Sequence, residues 1–102
     1  MAIVLSDDQR LDWLRLIRSE SVGPRTFRAL INRFGGARAA LEALPEVSRK
    51  AGRPVRPCSE ADAEQEFRQA KRLGARFVAL GEAEYPVSLQ AIDSAPPLIT
   101  VR

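Results

Sequence analysis

Histidine is absent from these 102 residues, and cysteine, methionine, tryptophan and tyrosine occur once each. Without histidine the chain lacks the commonest general base and the commonest metal ligand. A single cysteine, Cys58, can build neither a thiolate zinc site nor an internal disulfide, and it fits a reducing, cytoplasmic setting. No apolar run approaches the roughly 18–20 residues of a membrane span. The N-terminus Met-Ala-Ile-Val-Leu has no basic segment and meets Asp7 and Asp8 too early for a signal peptide. No repeat or low-complexity segment occurs. No catalytic residue, metal or cofactor is therefore expected, and Asp7 and Asp8 read as first-turn charges on a helix dipole rather than as an acid pair.

What is present is an ordinary globular composition, 45% apolar, with a net charge of +3. That balance permits nucleic-acid contact without demanding it. The chain is organised around residues 11–34: an apolar helix, the turn Ser21-Val22-Gly23-Pro24, and a second apolar helix. Phe27, Leu30, Ile31 and Phe34 follow the i, i+3, i+4, i+7 spacing of one helical stripe. Pro24 suits the first helical position and Gly35 the left-handed position after the last. Upstream, Ser6 and Gln9 form a capping box for a helix that buries Leu11, Leu14 and Ile17, with Trp13 and Leu16 beside them. That stripe is wide enough to be contacted on two sides.

Downstream, Ala37 to Leu44 reads as a short helix stopped by Pro45, with one more turn before Gly52. Residues 49–57 hold Arg49, Lys50, Arg53 and Arg56 with two prolines and no acid, which reads as a stiff, exposed, basic linker. Ser59 starts a further helix to Leu73, with Ala63, Phe67, Ala70 and Leu73 inward, a Glu64–Arg68 pair outward and Gly74 as its stop. Then the pattern changes: Phe77-Val78-Ala79-Leu80 reads as a buried strand, Pro86 to Ile92 as a brief helix, and Leu98-Ile99-Thr100-Val101 as a second strand. Strand, helix, strand predicts the opening of an α/β sheet with parallel neighbours. Two short strands make a marginal sheet, so the chain is expected to be the N-terminal part of a longer protein. The fold expected is mostly α: a helical domain of the SAM-like or helix-hairpin-helix kind over residues 1–73, then the start of a Rossmann-type α/β domain over 74–102.

Leu14-Arg15-Leu16-Ile17, Val22-Gly23-Pro24-Arg25-Thr26, Leu30-Ile31, Phe34-Gly35 and Ala39-Ala40-Leu41 resemble the N-terminal helical domain of the bacterial DNA-processing proteins (DprA, also called Smf). Leu73-Gly74-Ala75, Tyr85-Pro86, Leu89, Ile92-Asp93 and Ala95-Pro96-Pro97-Leu98 resemble the opening of that family's Rossmann-type domain. The likeness spans nearly the whole chain, and its second half is the more specific. It implies a cytoplasmic protein that binds single-stranded DNA and helps load the RecA recombinase in natural transformation. It also implies a main DNA pocket and a homodimer surface in the Rossmann-type domain. Gly74 and Gly81 form no G-x-G-x-x-G turn, so that pocket is expected beyond Arg102.

Within the chain, the turn Ser21, Val22, Gly23, Pro24 reads either as a backbone phosphate grip or as a purely structural connection. Glu20 and the non-glycine Ser21 weigh toward the second. Arg25 and Arg28, with Arg49, Lys50, Arg53 and Arg56, read as auxiliary DNA contacts, as solvated charges, or as a surface for a partner protein. Trp13, Phe27, Phe34, Phe67 and Phe77 sit on apolar stripes and are expected in the core rather than against bases. Tyr85 is expected to pin its loop to the sheet, and Cys58 to be a small loop residue. Two rival readings are a helical protein–protein interaction module without DNA binding and a nucleotide-binding α/β enzyme.

Overall fold

A computed structural model describes residues 3–102. In chain order the elements are α1 (Asp7–Ile17), α2 (Pro24–Phe34), α3 (Ala37–Lys50), α4 (Glu60–Arg72), β1 (Arg76–Ala79), α5 (Val87–Gln90) and β2 (Leu98–Val101). The capping box at Ser6 and Gln9 forms as the sequence predicts, and Asp7 and Asp8 occupy the first turn of α1. Gly35 ends α2 at φ 85°, the left-handed conformation that glycine takes without penalty. Ser59 caps α4 by accepting the Asp62 N–H at 3.1 Å.

α1 is the centre of the molecule. Leu14 and Leu16 are both fully buried, and two residues apart on a helix they point about 200° away from each other. Leu16 joins Val22, Phe27, Leu30, Ala40, Leu41 and Leu44 in a core shared with α2 and α3. Leu14 faces the other way, against Ala63 of α4 and Phe77 of β1. Phe67 and Phe77 lock that second core edge-to-face at 4.8 Å between ring centroids.

Three expectations change. Pro45 does not stop the third helix: α3 continues through it to Lys50. An interior proline costs about 3 kcal/mol, but Leu41 and Leu44 before it are buried and so is Ser48 after it. The Ser48 hydroxyl also donates to the Pro45 carbonyl at 3.2 Å. Leu73 is not inward but 63% exposed, because α4 ends at Arg72 and Leu73 falls on its C-cap. Finally, β1 and β2 pair antiparallel, Phe77 opposite Thr100 and Val78 opposite Ile99. α5 is a single turn of four residues, too short for the crossover that parallel strands require. Tyr85 does pin the loop: it is buried and its hydroxyl donates to the Pro96 carbonyl at 2.8 Å.

The N-terminal segment returns to the far end of the chain. The Ile3 N–H donates to the Gly81 carbonyl at 3.0 Å, and Gly81, at φ 103°, has the Ile3 side chain 3.0 Å from where a Cβ would stand. Glu82 then gathers three elements with one carboxylate. It accepts the Ala79 N–H at 2.8 Å and the Leu5 N–H at 3.2 Å, and it pairs with Arg10 of α1.

Candidate nucleic-acid interface

In the turn between α1 and α2, Val22 is buried, Ser21 and Gly23 are exposed and Pro24 is half-buried. Val22 is inside the first core, and its N–H donates to the Ser19 carbonyl at 3.2 Å. Ser21 takes φ 61°, alone among the described non-glycine residues in the left-handed region. Gly23, by contrast, is extended at φ −96° and serves as the N-cap of α2. The strain thus falls on Ser21, where an L-residue pays roughly 1–2 kcal/mol and glycine very little. Ser21→Gly is expected to raise stability by about 0.5 kcal/mol, after the added chain entropy of glycine in the unfolded state is subtracted. An upward shift of the urea midpoint checks it; a downward shift would mean that the serine hydroxyl holds the turn.

The first turn of α2 has no side-chain cap and no acidic residue. Pro24 contributes no N–H, so the Arg25 and Thr26 amides face outward at the positive end of the helix dipole. Glu20 is the nearby carboxylate, and it is turned toward the basic segment, accepting the Arg56 N–H at 3.4 Å. The arginines singled out in the sequence lie on α2, on the end of α3 and on the segment after it. Arg25 and Arg28 are exposed on α2, Arg49 closes α3, and Arg53 and Arg56 are exposed on the segment that follows. Among the described residues none of these five guanidinium groups makes an ion pair, whereas Lys50 pairs with Glu46 at 3.5 Å. The arginines of α1 and its C-cap have structural duties: Arg10 with Glu82, Arg18 with Glu66, and Arg15 with the Cys58 carbonyl at 3.0 Å.

The basic segment is not a free linker. Arg49 and Lys50 belong to α3, and residues 53–58 form an extended strap over the ends of α1 and α3. Val55 packs on the first core. Its N–H donates to the Ser48 hydroxyl at 2.9 Å, and the Cys58 N–H donates to the Ser19 hydroxyl at 3.0 Å. Ser19 and Ser48 are themselves buried, Ser19 donating its proton to the Arg15 carbonyl of α1 and Ser48 to the Pro45 carbonyl of α3. The strap therefore presents Arg53 and Arg56 from a fixed backbone. Ser48→Ala leaves the Val55 amide without its partner and is expected to cost about 1–2 kcal/mol, with faster hydrogen exchange at Val55. Burial pushes the Cys58 thiol up, away from the thiolate form, which agrees with a loop residue.

Two depressions flank α1. The larger, about 590 Å³, runs between α1, α4 and β1, and its walls carry five carboxylates (Asp7, Asp8, Glu64, Glu82, Glu84) against four cations. The expected Glu64–Arg68 pair does not form there within ion-pair distance; α4 is tied to α1 by Arg18 and Glu66 at 2.9 Å instead. The smaller, about 110 Å³, lies where α2 meets the end of the strand pair and has no carboxylate in its lining. No sequence signal announces this second notch, since its residues come from four separate stretches of chain. Asp12, too, is buried on α1, with one oxygen on Arg38 at 3.3 Å and the other without a partner among the described residues.

A capped helix, a tight left-handed turn and two further helices closing on one core define a small helical domain of the helix-hairpin-helix class, carrying an antiparallel strand pair. Residues 7–69 match the DprA-like N-terminal HHH domain, and at well over half of its length the chain belongs to that family. No curated protein matches it. Among the described residues no helix is long and apolar enough to cross a membrane.

Proposed function

We propose that this chain is the N-terminal region of a DNA-processing protein that binds single-stranded DNA and helps load RecA in natural transformation. The observation that carries this reading is the family match over residues 7–69. The local chemistry supports it: Arg25 and Arg28 are unpaired on α2, whose first turn has no side-chain cap and no acidic residue, and Arg49, Arg53 and Arg56 are unpaired on the end of α3 and the strap, a setting that favours phosphate. The action is stoichiometric binding in the cytoplasm rather than catalysis. In this reading β1 and β2 are the opening strands of a Rossmann-type domain whose sheet continues past β2, and that domain holds the main DNA pocket and the homodimer surface.

The test is binding of a fluorescent oligothymidine of about 16 nucleotides, followed by anisotropy at low salt. Affinity is expected to fall as salt rises, and each arginine removed from the set Arg25, Arg28, Arg49, Arg53 and Arg56 should flatten the logarithmic salt slope by about 0.7. Unchanged slopes in Arg49→Ala, Arg53→Ala would leave those residues as solvated charges. Absence of binding by the full-length protein at low salt favours the rival, a helical module that docks a protein through the same basic strap.

A further inference from the structure

The notch beside α2 has the features of a nucleobase site. Pro24, Phe27, Arg28 and Ile31 share one face of α2 by their i, i+3, i+4, i+7 spacing, and that face looks onto Leu80, Ala95 and Pro97 from the strand pair, with Trp13 of α1 alongside. Trp13 packs edge-to-face on Phe27 at 5.1 Å, yet it is only half-buried, so part of the indole remains available. An apolar cavity of roughly 150 Å³ holds a benzene ring. At about 110 Å³ and open on one side, this notch has room for the edge of a single six-membered ring.

Charge decides what kind of ring. Arg28 stands at the rim, exposed and without an ion pair, and no carboxylate lines the notch. The larger depression is apolar at its floor too, but its five carboxylates against four cations, two of them already paired, leave a polyanion no net attraction. An aromatic wall with an adjacent free arginine is how proteins hold unpaired bases: the ring stacks on the π-face while the guanidinium meets the neighbouring phosphate. We propose that the Trp13–Arg28 notch receives one pyrimidine base of single-stranded DNA, the adjoining phosphate lying against Arg28 and the open first turn of α2. This rests on the single-stranded DNA reading and gives it a definite contact: Trp13, expected from its stripe to serve only the core, has a second role at the surface.

Trp13 is the sole tryptophan of the chain, so its emission reports on the notch alone. With the 102-residue chain, oligothymidine is expected to quench that emission in step with the anisotropy rise. A spacer oligomer of equal phosphate number but without bases should bind at least about fivefold more weakly, the lower end of a single stacking contact, and leave the emission unchanged. Ile31→Phe, which fills the notch, should bring oligothymidine down to the spacer's affinity, while Arg28→Ala should lower it about threefold and reduce the quench, a fraction of a single phosphate contact's full worth. Should Ile31→Phe fail to fold, the comparison of the two oligomers decides. Binding of oligothymidine with Trp13 emission unmoved, or equal affinity for the spacer, overturns the notch and leaves the DNA reading standing. No binding of either oligomer to this chain at low salt overturns the notch, while the DNA reading stands or falls on binding by the full-length protein.

Discussion

Replacing Leu14 by alanine is expected to cost about 3–4 kcal/mol, near the middle of the range for a fully buried leucine whose neighbours cannot collapse into the space. Leu14 is wholly enclosed, and it is where α1, α4 and β1 converge through Ala63 and Phe77. Those neighbours are held from other directions, by the Phe67–Phe77 ring contact and by the pairing of β1 with β2. The cavity therefore stays open. A domain of this size loses about 4–8 °C of Tm for each kcal/mol, so the melting midpoint should drop by well over 10 °C. A fall of only a degree or two would show that α4 and the strands settle inward, and that this second core is softer than its geometry indicates.

Glu82→Gln should be nearly as damaging, at about 3 kcal/mol, in the range for breaking a buried pair by removing one partner. The amide keeps the shape, but it loses the charge that Arg10 pairs with, and its NH2 group, a donor, replaces one of the two oxygens that accept the Leu5 and Ala79 amides. Glu82 is 9% exposed at its side chain and Arg10 20%, so water does not substitute freely. The same residue gives the fold a pH dependence. Burial by itself pushes the Glu82 carboxyl up, but the Ala79 and Leu5 N–H donors and the Arg10 guanidinium outweigh it and hold the value below the ordinary carboxylate range. A pKa lower in the folded than in the unfolded chain means that the stabilisation is complete above the unfolded value and is lost as pH falls through the folded one. The urea midpoint of the native chain should therefore decline on acidification below the carboxylate range. The Glu82→Gln chain should show a visibly shallower decline.

Local chemistry made most of the helices legible. The capping box at Ser6, the proline–glycine bracket of α2 and the serine start of α4 are each decided within four residues, and each forms as read. The two-sided burial of α1 was legible for the same reason, from the width of its stripe. What the sequence hid was decided by contacts far along the chain. Pro45 is a breaker by every local rule, but tertiary burial on both sides of it carries α3 through. β1 and β2 looked like parallel neighbours because a helix was expected between them; that helix proved to be one turn. Ser21, a non-glycine residue expected to resist positive φ, takes the left-handed backbone all the same, beside the buried Val22. Of the interface, the turn and the arginines were readable as residue types. Their fixing by Ser19, Ser48 and Glu20 was not, because each of those hydrogen bonds joins separate elements.

The two-faced α1 also bears on how the molecule is assembled as it is synthesised. The Leu16 side needs only residues up to about Leu44 to be covered, so a three-helix unit can form while the remainder is still inside the ribosome. The Leu14 side stays wet until Ala63 and Phe77 emerge, and the clasp on Leu5 and Arg10 waits for Glu82. A nascent chain halted near the strap would thus display one finished core and one bare leucine face, the species on which a chaperone would act.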